Sequence, residues 1–335
     1  MGKLVCFGEI LIDLFAQAPS TPEAPRAFLQ HAGGAPANVA VAAARLGADA
    51  HFVGMLGHDM FGDFLADSLE KAGVGITGVA RTREAKTALA FVALDAHGER
   101  SFSFYRPPAA DLLFRAEDFR DDTFEGLGAF HVCSNSLTEP DIAATTCEGM
   151  RRARAAGALV SMDMNLREVL WADGADPVPR LWQALALAEL VKLSREELEF
   201  LARPLGADGE TQVIRRLLDA NTRCVVVTDG HHPLQWHTAK AHGQVQGFQV
   251  KAVDTTGAGD AFMGGLLSAL IAHGADGSEF AAFCDKPQAL EQVLRFGAAV
   301  GALAVTRKGA FAAMPARDDV HRLLQQHPHT PEVSA

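Results

Sequence analysis

Short apolar runs and helix-forming runs alternate along most of this 335-residue chain, and that alternation limits its fold more than any other feature. Runs from Lys3 to Phe7, Ala50 to Val53, Ala129 to Cys133, Leu159 to Asp163, Leu190 to Leu193 and Cys224 to Thr228 read as buried strands, being apolar and free of proline. Helical patterns fall between and after them, from Pro36 to Leu46, Phe61 to Ala72, Asp141 to Ala156, Pro179 to Ala188, Thr211 to Ala220, Ala261 to Ala272 and Ala289 to Ala304. Such alternation predicts one mainly parallel sheet with helices on both faces. Ligands of that architecture sit beyond the carboxyl ends of the strands. Polar residues recur there: Ser134 and Asn135, Asp163 with Asn165 and Arg167, Lys192 and Ser194, and Thr228 to Gly230.

The period changes between Thr87 and Tyr105. Ser101 to Phe104 alternates strictly and Asp95 to Gly98 supplies a turn, so this stretch reads as a hairpin. Together with the segment after Asp13 it predicts a small sheet, with strands inserted at about 13–30 and 87–106, that covers a site as a lid. Tyr105 and Arg106 at its exit are placed to reach an anionic or polyol ligand; a solvated arginine at a strand end is the competing reading. Pro19, Pro22 and Pro25 make Ala18 to Ala27 a loop or an edge. Gln235 to His237 and Val245 to Lys251 read as further short strands, and 326–335 as a frayed tail on a single domain spanning 1–335.

Composition removes several classes of function. A formal charge of −11 argues against a general nucleic-acid binder. No run of about 18 apolar residues suggests a membrane span, and Glu9 and Asp13 come too early for a signal peptide, so the expected location is cytoplasmic. The five cysteines have no paired spacing and the 13 histidines no metal-binding spacing. Neither GxGxxG nor GxxxxGK[ST] occurs, so any nucleotide is held in another way.

Two stretches carry chemistry. Asp254 to Leu266 (DTTGAGDAFMGGL) puts a small-residue turn before an apolar helix that begins near Gly259. The first N–H groups of a helix have no partner within it, and the glycines let an anion approach them at the positive end of the helix dipole. Asp260, at the edge of that hole, repels a phosphate but can accept a proton from a hydroxyl that attacks one. Taken alone, this would be a helix start with an acid in its first turn. The second stretch, His31 to Ala40 (HAGGAPANVA), lets a ligand approach the backbone at Gly33 and Gly34, while Asn38 offers a donor and an acceptor suited to a polyol. Taken alone, it would be a Gly-Gly turn with a local cap.

Together, in this order and spacing, the two stretches resemble the two signatures of the ribokinase (PfkB) family of carbohydrate and nucleoside kinases. The resemblance implies a three-layer α/β/α domain with a β lid, an ATP donor with Mg2+ and a sugar acceptor. Asp260 matches the catalytic base, the N–H groups of Gly257, Ala258 and Gly259 the anion hole, and Asp13, Gly33, Gly34 and Asn38 the sugar-binding positions. Tyr105, Arg106 and Arg167 join the sugar side, and Lys192, Ser194, Thr228 and Gly230 the donor side. Ser194 to Glu197 resembles the NxxE element, with Ser194 replacing Asn and Glu197 serving Mg2+ through water. Asp254, Thr256, Ala304, Arg307 and Gly309 match positions around a monovalent cation, which suggests K+. After Thr228 the family's Gly-rich segment is replaced by Asp229 to Pro233, including His231 and His232. Within the family the pattern looks most like bacterial fructokinases, and 2-keto-3-deoxygluconate kinases share part of it. It implies phosphorylation of a sugar such as D-fructose at a primary hydroxyl by a homodimer joined through its lid. A non-catalytic sugar or nucleotide sensor on the same fold is the rival from another class.

Overall fold

A computed structural model describes residues 2–17, 21, 25–94 and 100–328. Its elements run, in chain order, β1 (Lys3–Phe7), β2 (Leu11–Ala16), β3 (Phe28–Gly33), α1 (Ala35–Arg45), β4 (Ala50–Gly57), α2 (Met60–Lys71), β5 (Gly75–Thr82), β6 (Leu89–Leu94), β7 (Arg100–Tyr105) and β8 (Leu127–Cys133). There follow α3 (Pro140–Ala155), β9 (Leu159–Asp163), α4 (Val178–Leu185), β10 (Leu190–Ser194), α5 (Arg195–Ala202), α6 (Gly209–Asp219) and β11 (Cys224–Thr228). The chain then forms β12 (Leu234–His237), β13 (His242–Val245), α7 (Ala258–Ala272), α8 (Glu279–Cys284), α9 (Pro287–Ala304) and α10 (Arg317–Gln326).

Nine strands form the central sheet in the order β13-β12-β11-β10-β9-β8-β1-β4-β5. All its pairings are parallel except those of β12 with β11 and β13. Its central strands are buried on both faces, and the side chains divide with period two. Leu4, Cys6, Cys224 and Val226 pack under α1, α2, α7, α9 and α10, whereas Val5, Phe7, Val225 and Val227 pack under α3 to α6. Each such buried aliphatic side chain contributes roughly 1.5–3 kcal/mol, so the three-layer arrangement follows from strand composition. α7 is apolar all round and buried over nearly its whole length, which fixes its first turn against the sheet.

The second sheet has four strands, in the order β3-β2-β6-β7. On one side its strands begin at Leu11 and end at Gly33, slightly outside the expected 13–30; on the other they begin at Leu89 and end at Tyr105, just inside the expected 87–106. The expected turn at Asp95 to Gly98 lies outside the described residues.

Some elements differ from expectation. β13 stops at Val245, and 247–250 line a cleft instead of pairing, because Phe248 and Val250 pack inward. β5 escaped notice because its sequence, GITGVART, carries two glycines and three polar residues suited to an edge. α5 and α10 were not expected; they are short, at eight and ten residues, and each buries only one face. The tail expected from 326 begins with the last residue of α10, and 329–335 lie outside the described residues. Among the described residues no helix is long and apolar enough to cross a membrane.

Candidate active site

Two clefts open at the carboxyl ends of the central strands and meet at the start of α7. The first, about 340 Å³, is lined by Asp13, Gly34, Asn38, Arg106, Arg167, Gly257 and Asp260, and also by Glu9, Asn135 and Asn165. The lid closes one side through Leu11, Phe15, Val92 and Phe104. Leu11, Asp13 and Phe15 alternate along β2, so one strand face supplies two apolar groups and a carboxylate. The second cleft, about 560 Å³, lies on the other side of the 255–259 turn. Its walls are Thr228 to His232, Phe248, Val250, Ala258, Gly259, Phe262, Ala298, Ala302 and Val305. Thr255 lines both.

Asp260 is held between them. Its Oδ2 accepts the Asn38 Nδ2 hydrogen bond at 2.7 Å, and its Oδ1 lies 3.5 Å from Asn165 Nδ2. Burial pushes its pKa up to about 7; the Asn38 bond pulls down, Asp163 pushes up, and Arg167 and Lys192 pull down again. Asp13 is likewise pushed to about 7, first by burial and then by Asp260 and Asp254. A carboxylate poised near neutrality at the edge of a cleft is suited to proton transfer.

The Gly-Gly pair is required by contact distances. A Cβ on Gly33 would stand 2.1 Å from Asp13 Oδ2, and one on Gly34 2.6 Å from the Glu9 carbonyl. Gly34 also has φ 109°, and it caps α1 without a side chain. Gly33 therefore sets Asp13, while Gly34 itself faces the cleft.

Gly257 caps α7 in the left-handed conformation at φ 72°. Gly259, second in the helix, has no acceptor for its N–H within it. The Ala258 N–H differs from the expected trio of donors, since it already bonds the Thr255 carbonyl at 3.3 Å in the turn. Beneath Gly259, Lys192 Nζ would lie 3.2 Å from an added Cβ. Lys192 pairs with Asp163 across neighbouring strands at 3.0 Å, both side chains being buried. Burial alone would lower the Lys192 pKa, but Asp163 and Glu197 outweigh it and hold the amine charged. Its place is under the turn rather than in the wall of the second cleft.

Ser194 and Glu197 form a capping box at the start of α5. Glu197 accepts the Ser194 N–H at 2.8 Å and the Leu166 N–H at 2.7 Å. Thr228 and Gly230 do line the second cleft, with the adjacent rings of His231 and His232. Asp254 accepts the N–H groups of Thr256 at 2.9 Å and Gly309 at 3.0 Å, drawing these three expected residues together. The Ala304 carbonyl accepts the Arg307 N–H, but the Arg307 guanidinium is half exposed and turns away to Asp319. Among the described residues no cluster of three His, Cys, Asp or Glu could hold a metal by direct ligation.

Tyr105 departs from expectation. It is 64% exposed and packs on Phe91 rather than lining the cleft, because Phe104 takes the inward position of the alternating strand. Arg106 is buried, its Nε donating to Asp111 at 2.7 Å and its Nη2 to the Asn135 carbonyl at 2.8 Å. Arg167 lies exposed at the cleft mouth, within electrostatic reach of Asp260. Glu9 was not among the expected site residues, since a lone acid after a strand carries no signal. Asn135 was marked only by its place at a strand end, and Asn165 by that and by its place between Asp163 and Arg167 in the fructokinase-like pattern.

Comparison with known proteins matches residues 1–317 to the family described as pfkB family carbohydrate kinase. Fructokinase-2 of Solanum lycopersicum is 40% identical over 326 residues, covering 97% of this chain and 96% of that protein. Among solved structures, fructokinase with bound ATP from Xylella fastidiosa is 56% identical, with a TM-score of 0.93 over 97% of this chain and 98% of that one. Fructokinase from Vibrio cholerae, solved with fructose, ADP and calcium, is 33% identical, with a TM-score of 0.84 over 97% of this chain and 99% of that one. The fold is ribokinase-like.

Proposed function

The chain belongs to the pfkB family of carbohydrate kinases, and from that premise we propose that it transfers the γ-phosphate of ATP to the C6 hydroxyl of D-fructose. One observation carries this reading: the Asp260 carboxylate stands at the start of α7, where the polar and the apolar cleft meet. The relatives named fructokinase, including one solved with ATP and one with fructose and ADP, support the choice of substrates.

In this mechanism the sugar lies in the first cleft under the lid, held by Asp13 and Asn38 above the Gly33-Gly34 backbone. Water is excluded by Leu11, Phe15, Val92 and Phe104. ATP lies in the second cleft, its base against the apolar wall of α9 and its terminal phosphates at the Gly257 and Gly259 N–H groups. Asp260 accepts the proton of the attacking hydroxyl, and the N–H groups with Lys192 beneath them meet the charge on the migrating phosphoryl group. Positioning supplies most of the effect, since the transition state is loose.

Both oxygens of Glu197 already accept backbone N–H groups, so it suits Mg2+ held through water rather than by direct contact. Bound there, the ion would neutralise phosphate charge. The Asp254, Thr256 and Gly309 cluster suits K+ held mainly by carbonyl oxygens beside one carboxylate charge. Phe28, Leu29 and Tyr105 are exposed on the lid and form the surface through which a homodimer would join. A single-domain, cytoplasmic enzyme fits the whole.

A second reading has one observation in its favour. Arg167 donates only to the Leu166 carbonyl among the described residues and could meet the carboxylate of 2-keto-3-deoxygluconate. Measuring ADP release with fructose, 2-keto-3-deoxygluconate, ribose and adenosine separates the readings. Turnover greatest with fructose is expected, and no sugar-dependent release with any of them would overturn kinase function.

A further inference from the structure

The first cleft has a second polar pole that the phosphoryl-transfer chemistry does not use. At one pole Asn38 bonds Asp260. At the other, Glu9 Oε1 accepts the Ala35 N–H at 3.0 Å and Asn135 Nδ2 at 2.9 Å. Ala35 and Asn38, which each bond one pole, are three residues apart in α1, a rise of about 4.5 Å along the helix axis. That is the scale of one sugar ring. A substrate whose reacting hydroxyl is at Asp260 therefore directs its opposite end towards Glu9 and Asn135.

Asn135 is only 7% exposed, lines the cleft, and has a side-chain oxygen with no hydrogen-bond partner among the described residues. A buried acceptor left without a donor destabilises the empty cleft, and a ligand that donates to it removes that cost. The amide cannot turn over to relieve this, because Glu9 takes its Nδ2 and would repel its oxygen. Arg106, pinned to Asp111, donates to the Asn135 carbonyl and sits within electrostatic reach of Glu9, so the backbone beneath the amide is held as well. The result is a fixed acceptor aimed at a cleft that already has Asp13 and Asp260. It suits a neutral, donor-rich ligand.

We propose that Asn135 is a specificity-determining residue whose Oδ1 accepts a hydrogen bond from the sugar hydroxyl farthest from the phosphorylated carbon, with Glu9 as the positioning residue that aims it. On the fructose reading, on which this inference rests, that hydroxyl is the one on C1 or C2.

The test is steady-state kinetics of wild type, Asn135→Ala, Asn135→Ser, Glu9→Gln and Glu9→Ala with fructose, 1-deoxy-D-fructose and 2,5-anhydro-D-mannitol, which lacks the C2 hydroxyl. Asn135→Ala should raise KM for fructose ~10- to 100-fold, with kcat within about threefold and KM for ATP unchanged, as a merely structural lesion would not do. One of the two analogues should be a poor substrate for wild type, yet be used by Asn135→Ala as well as fructose is. Asn135→Ser, which disturbs packing less, should show the same pattern. Glu9→Gln, which still accepts the Ala35 N–H, should keep most of the affinity for fructose, and Glu9→Ala should behave like Asn135→Ala. An unchanged KM for fructose in both Asn135 variants would overturn the inference, as would equal losses with fructose and both analogues. If wild type phosphorylates another sugar instead, the fructose reading fails, and the Asn135 variants assayed with that sugar still decide the inference.

Discussion

The two clefts that meet at α7 differ in how much of their lining is polar. The proposed sugar side sets polar side chains against an apolar lid: Glu9, Asp13, Asn38, Asn135, Asn165 and Asp260 converge on it, opposite Leu11, Phe15, Val92 and Phe104. The donor side is mostly apolar and shaped by Phe248, Val250, Phe262, Ala298, Ala302 and Val305. On the proposed reading the first recognises mainly by hydrogen bonds of fixed geometry and the second mainly by shape. Damage to the two should therefore differ in size and kind. A misplaced carboxylate loses a specific interaction, whereas a changed apolar wall loses fit.

Asp260 belongs to both sides and its replacement should have the largest effect. Asp260→Asn keeps the size and can still pair with Asn38, but cannot accept a proton. Turnover should fall ~10²- to 10⁴-fold, with sugar KM within about threefold, measured by coupled ADP release. An equal loss in both would mean that Asp260 serves binding and not chemistry. The same variant carries a stability prediction. The folded-state pKa, about 7, exceeds the ordinary 3.8, so ionised Asp260 weighs increasingly against the fold as pH rises from near 4 to 7. Asp260→Asn should unfold at a higher temperature than wild type, with a larger gain at pH 8 than at pH 5.

Next in size is a break confined to the sugar side. Gly33→Ala puts a Cβ where Asp13 Oδ2 now stands, 2.1 Å away, so the carboxylate must move by an ångström or more. A displacement of that order costs ~10²-fold in a positioned reaction. The loss should appear in kcat/KM for the sugar, with KM for ATP unchanged. An increase in KM for ATP of the same factor would show that the two clefts are not separable.

The contrast between clefts also explains what could be read from the chain. Gly33, Gly34, Asn38, Gly257, Gly259 and Asp260 were legible because they cluster in two short stretches that lead into α1 and α7. The alternation of strands and helices gave the layers, because both faces of the sheet are buried. The donor wall was not legible: Ala298 and Ala302 look like any core-facing residues of an apolar helix, and no pattern separates lining a cleft from filling a core. Glu9 and Asn135 were hidden for another reason. Their meaning lies in a contact across 126 positions of sequence, which no local motif can encode. Tyr105 failed by one step of a strand, since a shift of one residue exchanges the two faces.

A smaller effect comes from titration. Asp260 and Asp13 both stand near pH 7 and repel one another, so protons leave the pair in coupled steps. On the proposed mechanism Asp260 acts as a base only when ionised. Sugar kcat/KM should therefore rise with pH, by about tenfold per unit on the acid side, and level off above about 7. Asp13→Asn removes a neighbouring negative charge, so it should move the remaining limb to lower pH. A limb that stays near pH 4 in wild type would show that solvent reaches Asp260 far better than its burial implies.

The smallest effect should come from the donor wall, and it tests the comparison from the other side. Ala302 lies on α9 and faces the second cleft next to Val305 and Ala298. Ala302→Phe fills space in which a base would lie, without touching a charge or a hydrogen bond. Because an apolar contact discriminates by fit alone, KM for ATP should rise only ~10-fold, with sugar KM and the pH limb unchanged. If instead the sugar KM rose as much, the bulk would have reached the turn at 255–257 that both clefts share. The polar and apolar sides would then answer as one site, and the division drawn from their linings would not hold in catalysis.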